Sequence, residues 1–149
     1  MKKTICIDFD GVIAQYNGEF EQDKFGEPVA GVKNALKVLK ENGYTIIIFT
    51  TRKPTAKFKK YLADNEITYD AINENPDQPD KTNPGKPIAD IYLSARAIHF
   101  EGNWKWTLES IASFRPYCEK KEDEKKDMES IFKRYKEYAK KKSNIVSIG

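Results

Sequence analysis

Two short runs of β-branched and apolar residues constrain this chain more than any other feature. "TICIDF" at 4–9 and "TIIIFTT" at 45–51 are too short and too β-branched for helices, so both read as buried strands. Between them, "VAGVKNALKVLKENGY" places Val32, Ala35, Leu36 and Leu39 at a helical period, and Gly43 stops the run. Pro54 opens a second helix with Phe58, Tyr61 and Leu62 as its apolar positions. "ITYDAINE" at 67–74 is expected as a short third strand, and "IADIYLSARAIHF" at 88–100 returns to strand character. "NWKWTLESIASF" reads as a turn followed by a helix, with Trp104 and Trp106 as a packing corner. Strands alternating with helices predict a Rossmann-like three-layer α/β/α fold around a central parallel sheet with right-handed crossovers.

The chain of 149 residues is long enough for one domain with a real core, placed here at 1–117. From 118 to 149 charges dominate, and Met128, Ile131, Phe132, Tyr135 and Tyr138 fall at helical spacing. That segment is expected to be a charged C-terminal helix packing on its own domain, with a homodimer as the other way to cover its stripe. With 39% hydrophobic and 33% charged residues, the composition is that of a soluble globular protein. No apolar run is long enough to span a membrane and no leader pattern is present, so a cytoplasmic protein is expected. Cys6 and Cys118 have neither metal-ligand spacing nor a disulfide framework. The net charge of +3 is weak evidence for any partner, and the basic excess near the C-terminus leaves a nucleic-acid surface there as an alternative that is not favoured.

In open parallel sheets, ligands gather beyond the carboxyl ends of the strands. Asp8, Asp10 and Thr50 all fall there. Residues i and i+2 on an extended chain point to one side, so both carboxylates can serve one ligand, and Gly11 lets the backbone turn away behind them. A carboxylate at such a place can be a nucleophile or a hard-metal ligand, and a second can move protons. The competing reading is two solvated acids that initiate a turn.

The wider pattern bears on that choice. "DFDGVI" resembles the first motif of the haloacid dehalogenase superfamily, whose members are mostly magnesium-dependent phosphatases. "PVAGVKNALKVLKENGYTIIIFTTR" is similar to the helix and strand leading to its second motif, and "GKPIADIYLSARAI" to the region of its third and fourth. The resemblance covers roughly 4–112 and implies a minimal-cap phosphomonoester hydrolase. It makes Asp8 the nucleophile forming an aspartyl-phosphate, and Asp10 the acid and base. Thr50 would hydrogen-bond the phosphoryl group and Lys86 would offset charge. Gly11, Thr51 and Arg52 complete the expected substrate-binding set. Mg2+ would be held by Asp8, by the Asp10 main-chain carbonyl and by an acid of the fourth motif. Asn73, Glu74 and Asn75 begin a proline-rich loop, 75–87, that would border the substrate mouth.

The fourth motif departs from this pattern. Ser94 and Ala95 stand where the related sequences carry two adjacent aspartates, and neither supplies an anionic ligand. Asp90 lies four residues back, roughly 13 Å at a strand's rise, and Glu101 is reached only if the loop folds back. The expectation is therefore a weakened or substrate-assisted enzyme acting on a small or macromolecular phosphorylated substrate. The alternative is a non-catalytic module that binds a phosphorylated ligand or partner. Taken by themselves, Arg52 reads first as an ion pair steadying the loop after Thr50 and second as an anion contact, Arg96 has the same two readings, and His99 is expected in a structural or surface role.

Overall fold

The computed structural model describes residues 3–116 together with 133, 134, 136, 137 and 140. Apart from those last positions, the charged helix expected at 118–149 lies outside the described residues. The chain forms two compact units, Met1–Ala95 and Arg96–Gly149.

The first unit runs β1 (Thr4–Asp8), α1 (Val32–Glu41), β2 (Thr45–Phe49), α2 (Ala56–Asp64), β3 (Ala71–Ile72) and β4 (Ile91–Leu93). Its four strands make one all-parallel sheet in the order β3-β2-β1-β4, a Rossmann-like α/β arrangement as the alternation of elements predicts. The register sets Ile5 beside Ile46 and Ile7 beside Ile48 on one face. Leu36 of α1, with Phe58 and Leu62 of α2, packs with them into one core that also holds Phe9, Ile13 and Ile67. Full burial of each such side chain is worth about 1.5–3 kcal/mol. Cys6 and Ile47, on the opposite face, are buried as well.

The two outer strands are shorter than the sequence suggests, because side chains replace ladder hydrogen bonds at their starts. Asp70 accepts from the Ile46 N–H at 2.7 Å, so β3 begins only at Ala71. Asp90 accepts from the Thr4 N–H at 2.7 Å while its own N–H donates to the Thr4 carbonyl at 2.9 Å, and β4 starts after it. Helix α2 opens at Ala56 instead of Pro54. Thr55 is the cap, its hydroxyl accepting from the Phe58 N–H at 3.2 Å to satisfy an end-of-helix donor.

In the second unit, α3 (Trp104–Ser113) follows an Asn103 cap whose side chain accepts from the Trp106 N–H at 3.2 Å. Trp104 and Trp106, expected as a packing corner, are instead exposed, with the Trp104 ring 5.2 Å from that of Phe100. Among the described residues, no helix is long and apolar enough to cross a membrane.

Candidate active site

The site is built where β1 ends. Phe9 is fully buried at the centre of an aromatic cluster, its ring 4.8 Å from Phe58, 5.5 Å from Tyr61 and 6.0 Å from Phe25. Pinning Phe9 into the core turns Asp8, one residue earlier on the strand, to the other face. Cys6 shares that face, and burial together with the Asp8 charge pushes its thiol up to about 11. The Phe9 carbonyl then accepts the N–H groups of Val12, Ile13 and Ala14, at 3.4, 2.9 and 3.0 Å. This tight turn needs Gly11 at φ 86°, where a side chain would be strained.

Arg52, expected either in the substrate-binding set or as a loop-steadying ion pair, is 2% exposed with its guanidinium turned inward. Its Nε donates to both oxygens of Asp10 at 3.1 and 2.9 Å, and Nη2 to one of them at 2.8 Å. Nη1 donates to the carbonyls of Glu21 and Gln22 at 2.7 and 2.9 Å. The guanidinium lies 4.8–5.6 Å from the rings of Phe9, Phe20 and Phe25. One residue thus orients the Asp10 carboxylate and pins the polar segment 14–28. Gln22 extends the tie, its amide pairing with both the N–H and the carbonyl of Lys53. The Tyr61 hydroxyl adds a bond to the Gly26 carbonyl at 2.7 Å. Its pKa is pushed up to about 12, first by burial and then by the negative Glu27 and Asp10, against an opposing effect of Arg52.

Asp8 pairs in register with Phe49, so Thr50 emerges one step beyond it on the neighbouring strand. The Thr50 hydroxyl accepts from the Arg52 N–H at 3.1 Å. Among the described residues no acceptor takes its proton. Asn73 grips Thr50 from the side: its Oδ1 accepts from the Thr50 N–H at 2.7 Å, and its Nδ2 donates to the Thr50 carbonyl at 2.8 Å. The residue sits at φ 59°, a conformation asparagine tolerates better than most side chains. This role was not read from the sequence, which suggested only that Asn73 borders the mouth. The available signal was an asparagine directly after a short strand. Thr51 is exposed beside this clamp.

Lys86 stands on the loop before β4, over an aromatic ring. Its ammonium is 5.4 Å from the centre of the Tyr92 ring, and no ion pair or hydrogen bond joins it to Asp8. The loop explains the placement. Pro87 is buried, the Tyr92 hydroxyl donates to the Pro87 carbonyl at 2.6 Å, and the Gln78 amide donates to the carbonyls of Asn83 and Lys86. These bonds lay the exposed Lys86 along Tyr92. Asn75 closes the same loop on the Ile88 carbonyl at 2.8 Å.

Ser94 is the next residue after β4 and comes level with Asp8, donating its hydroxyl proton to Asp8 Oδ2 at 2.5 Å. Asp90, bonded to Thr4 at the far end of the sheet, is no substitute acid. The two acids expected to hold Mg2+ therefore differ in what they offer. Arg52 occupies the Asp10 carboxylate, and among the described residues no three His, Cys, Asp or Glu side chains cluster to hold a metal ion. Among the described residues Asp8 would be the carboxylate of a cation site, with the Ser94 hydroxyl and the Asp10 carbonyl as neutral oxygens. Magnesium keeps several waters and is often bound by one or two carboxylates plus substrate phosphates. The residues fit such a cation at that lower limit.

No protein-family model matches the chain, and no curated protein sequence matches it significantly. Among solved structures, it is similar to a conserved protein coded by a locus of Bacteroides thetaiotaomicron. That likeness has 19% identity and a TM-score of 0.54, over 79% of this chain and 96% of the other. It supports the fold alone. A chain of the Pnkp1/Rnl/Hen1 complex matches at 23% identity and TM-score 0.41, over 54% of this chain and 31% of that one. A D,D-heptose 1,7-bisphosphate phosphatase from B. bronchiseptica, complexed with magnesium and phosphate, matches at 25% and 0.38, over 53% and 52%. At those scores the last two likenesses carry no argument about activity.

Proposed function

We propose that the chain is a phosphomonoester hydrolase working through Asp8. The observation that carries this reading is that Asp8 and Thr50 stand at the carboxyl ends of adjacent strands, Thr50 clamped by Asn73 with its hydroxyl proton taken by no acceptor among the described residues. The resemblance of "DFDGVI" to the first haloacid dehalogenase motif points the same way. In the proposed reaction Asp10 first takes up a proton from solvent while still accepting from Arg52, a carboxylate oxygen of Asp8 attacks phosphorus, and the ester oxygen departs with that proton. Water then adds to the aspartyl-phosphate, losing a proton to Asp10 and releasing inorganic phosphate and free Asp8. Arg52 keeps Asp10 in one orientation throughout, and Thr50 donates to a phosphoryl oxygen. A bound Mg2+ would supply neutralisation of the phosphoryl charge, with Asp8 as its carboxylate ligand. Two unit charges about 4 Å apart repel by roughly 4 kcal/mol at an effective dielectric near 20, which is the size of the problem it would address.

A second reading, a non-catalytic phosphate-binding module, is favoured by the Ser94 hydroxyl on Asp8 where related sequences carry an acid. Phosphate release from a panel of phosphomonoesters, with magnesium titrated from zero, separates the two. Release that rises with magnesium and vanishes in Asp8→Asn is expected. Release that persists in Asp8→Asn would overturn the reaction through Asp8, and silence with retained phosphate binding would establish the module.

A further inference from the structure

Resting on the reading of this edge as a phosphoryl site, we infer that Ser94 makes cation binding conditional on the phosphoryl ligand: the two enter as a coupled pair. The argument begins from what each side chain is already doing. A cation arriving alone meets one carboxylate, because the Asp10 oxygens accept three N–H bonds from Arg52. The group level with Asp8 on β4 is a neutral hydroxyl that donates to Asp8 Oδ2, so it brings a proton where an acid would bring charge. A phosphoryl group arriving alone is served little better. The Arg52 guanidinium is buried against Asp10 and two carbonyls, and the Lys86 ammonium lies over Tyr92. Thr50 offers a hydrogen bond but no charge. Among the described residues that bond to these groups, each ligand therefore lacks the counter-charge that the other carries. Magnesium with few carboxylates characteristically completes its shell from substrate oxygens.

Coupling of this kind is reciprocal: the factor by which phosphate tightens magnesium equals the factor by which magnesium tightens phosphate. Serine is the residue that sets it. An acid at position 94 would give the cation its own anionic ligand and relieve it of dependence on phosphate.

The test is calorimetric titration of the whole chain with inorganic phosphate in chelator and in saturating magnesium, and with magnesium with and without phosphate. We expect each ligand to tighten the other by about tenfold or more. In Ser94→Asp, magnesium alone should bind about 10–100-fold tighter, by analogy with the loss seen when a ligand's supporting partner is removed, and the coupling factor should shrink. A wild-type coupling factor near one, with both ligands bound, overturns this inference while leaving the phosphoryl site intact. No binding of either ligand, alone or together, overturns both. Should Ser94→Asp fail to fold, the wild-type coupling factor decides alone.

Discussion

Replacing Arg52 by methionine removes a group that no other residue duplicates, and its cost can be worked from the contacts. The ion pair to Asp10 joins side chains that are 2% and 18% exposed, and breaking such a pair from one side costs about 3–5 kcal/mol because the remaining charge is left buried. The Glu21 and Gln22 carbonyls also lose their donors, but both belong to a surface segment and can turn to water. Methionine retains part of the contact with Phe9, Phe20 and Phe25. A net loss of about 4 kcal/mol follows. For a unit of this size each kcal/mol is roughly 4–8 °C, so the melting temperature should fall by about 15–30 °C. Asp10→Asn in the Arg52→Met background should recover about half, since the amide leaves no stranded charge. Arg52→Lys should lie between, because one ammonium cannot reach Asp10 and two carbonyls together. Urea denaturation followed by circular dichroism supplies the four free energies of the cycle. A loss under about 1 kcal/mol in Arg52→Met, or additive single and double variants, would refute the claim that Arg52 ties Asp10 to segment 14–28.

Asn73→Ala deletes both bonds to Thr50 and places alanine at φ 59°, so it should cost about 2–3 kcal/mol in urea denaturation. Asn73→Gly should recover the backbone part, about 1 kcal/mol, but not the phosphate affinity that depends on Thr50; equal losses in the two variants would count against the clamp. The raised pKa values of Cys6, from 9.0 to about 11, and Tyr61, from 10.0 to about 12, mean that the fold favours their protonated, neutral forms. The stability they contribute is full below the lower value of each pair and is lost as pH rises toward the higher. Stability should therefore decline above pH 9, by up to about 1.4 kcal/mol per pH unit from Cys6 alone. Cys6→Val should flatten that decline between pH 9 and 11, and a wild-type profile flat over the same window would show that Cys6 stays accessible to water.

The sequence by itself determined the parallel α/β architecture, because β-branched runs and helical periods are local patterns that survive without knowledge of the neighbours. It also placed Asp8, Asp10, Gly11 and Thr50 at one sheet edge, since parallel strands carry their carboxyl ends to the same side. What each of these groups touches was decided only by the tertiary structure. Asp10 faces Arg52 across 42 positions of sequence, Asp8 faces Ser94 across 86, and Thr50 is held by Asn73 from 23 residues away. Arg52 is an anion-seeking residue wherever it stands, and only the packing of Phe9, Phe20 and Phe25 around it directs its charge inward to Asp10. Lys86 is drawn to Tyr92 by bonds that Gln78 and Tyr92 make to the loop's own carbonyls. Short-range periodicity fixes which elements form, whereas the partner of a polar side chain is chosen by long-range register, which no local pattern encodes.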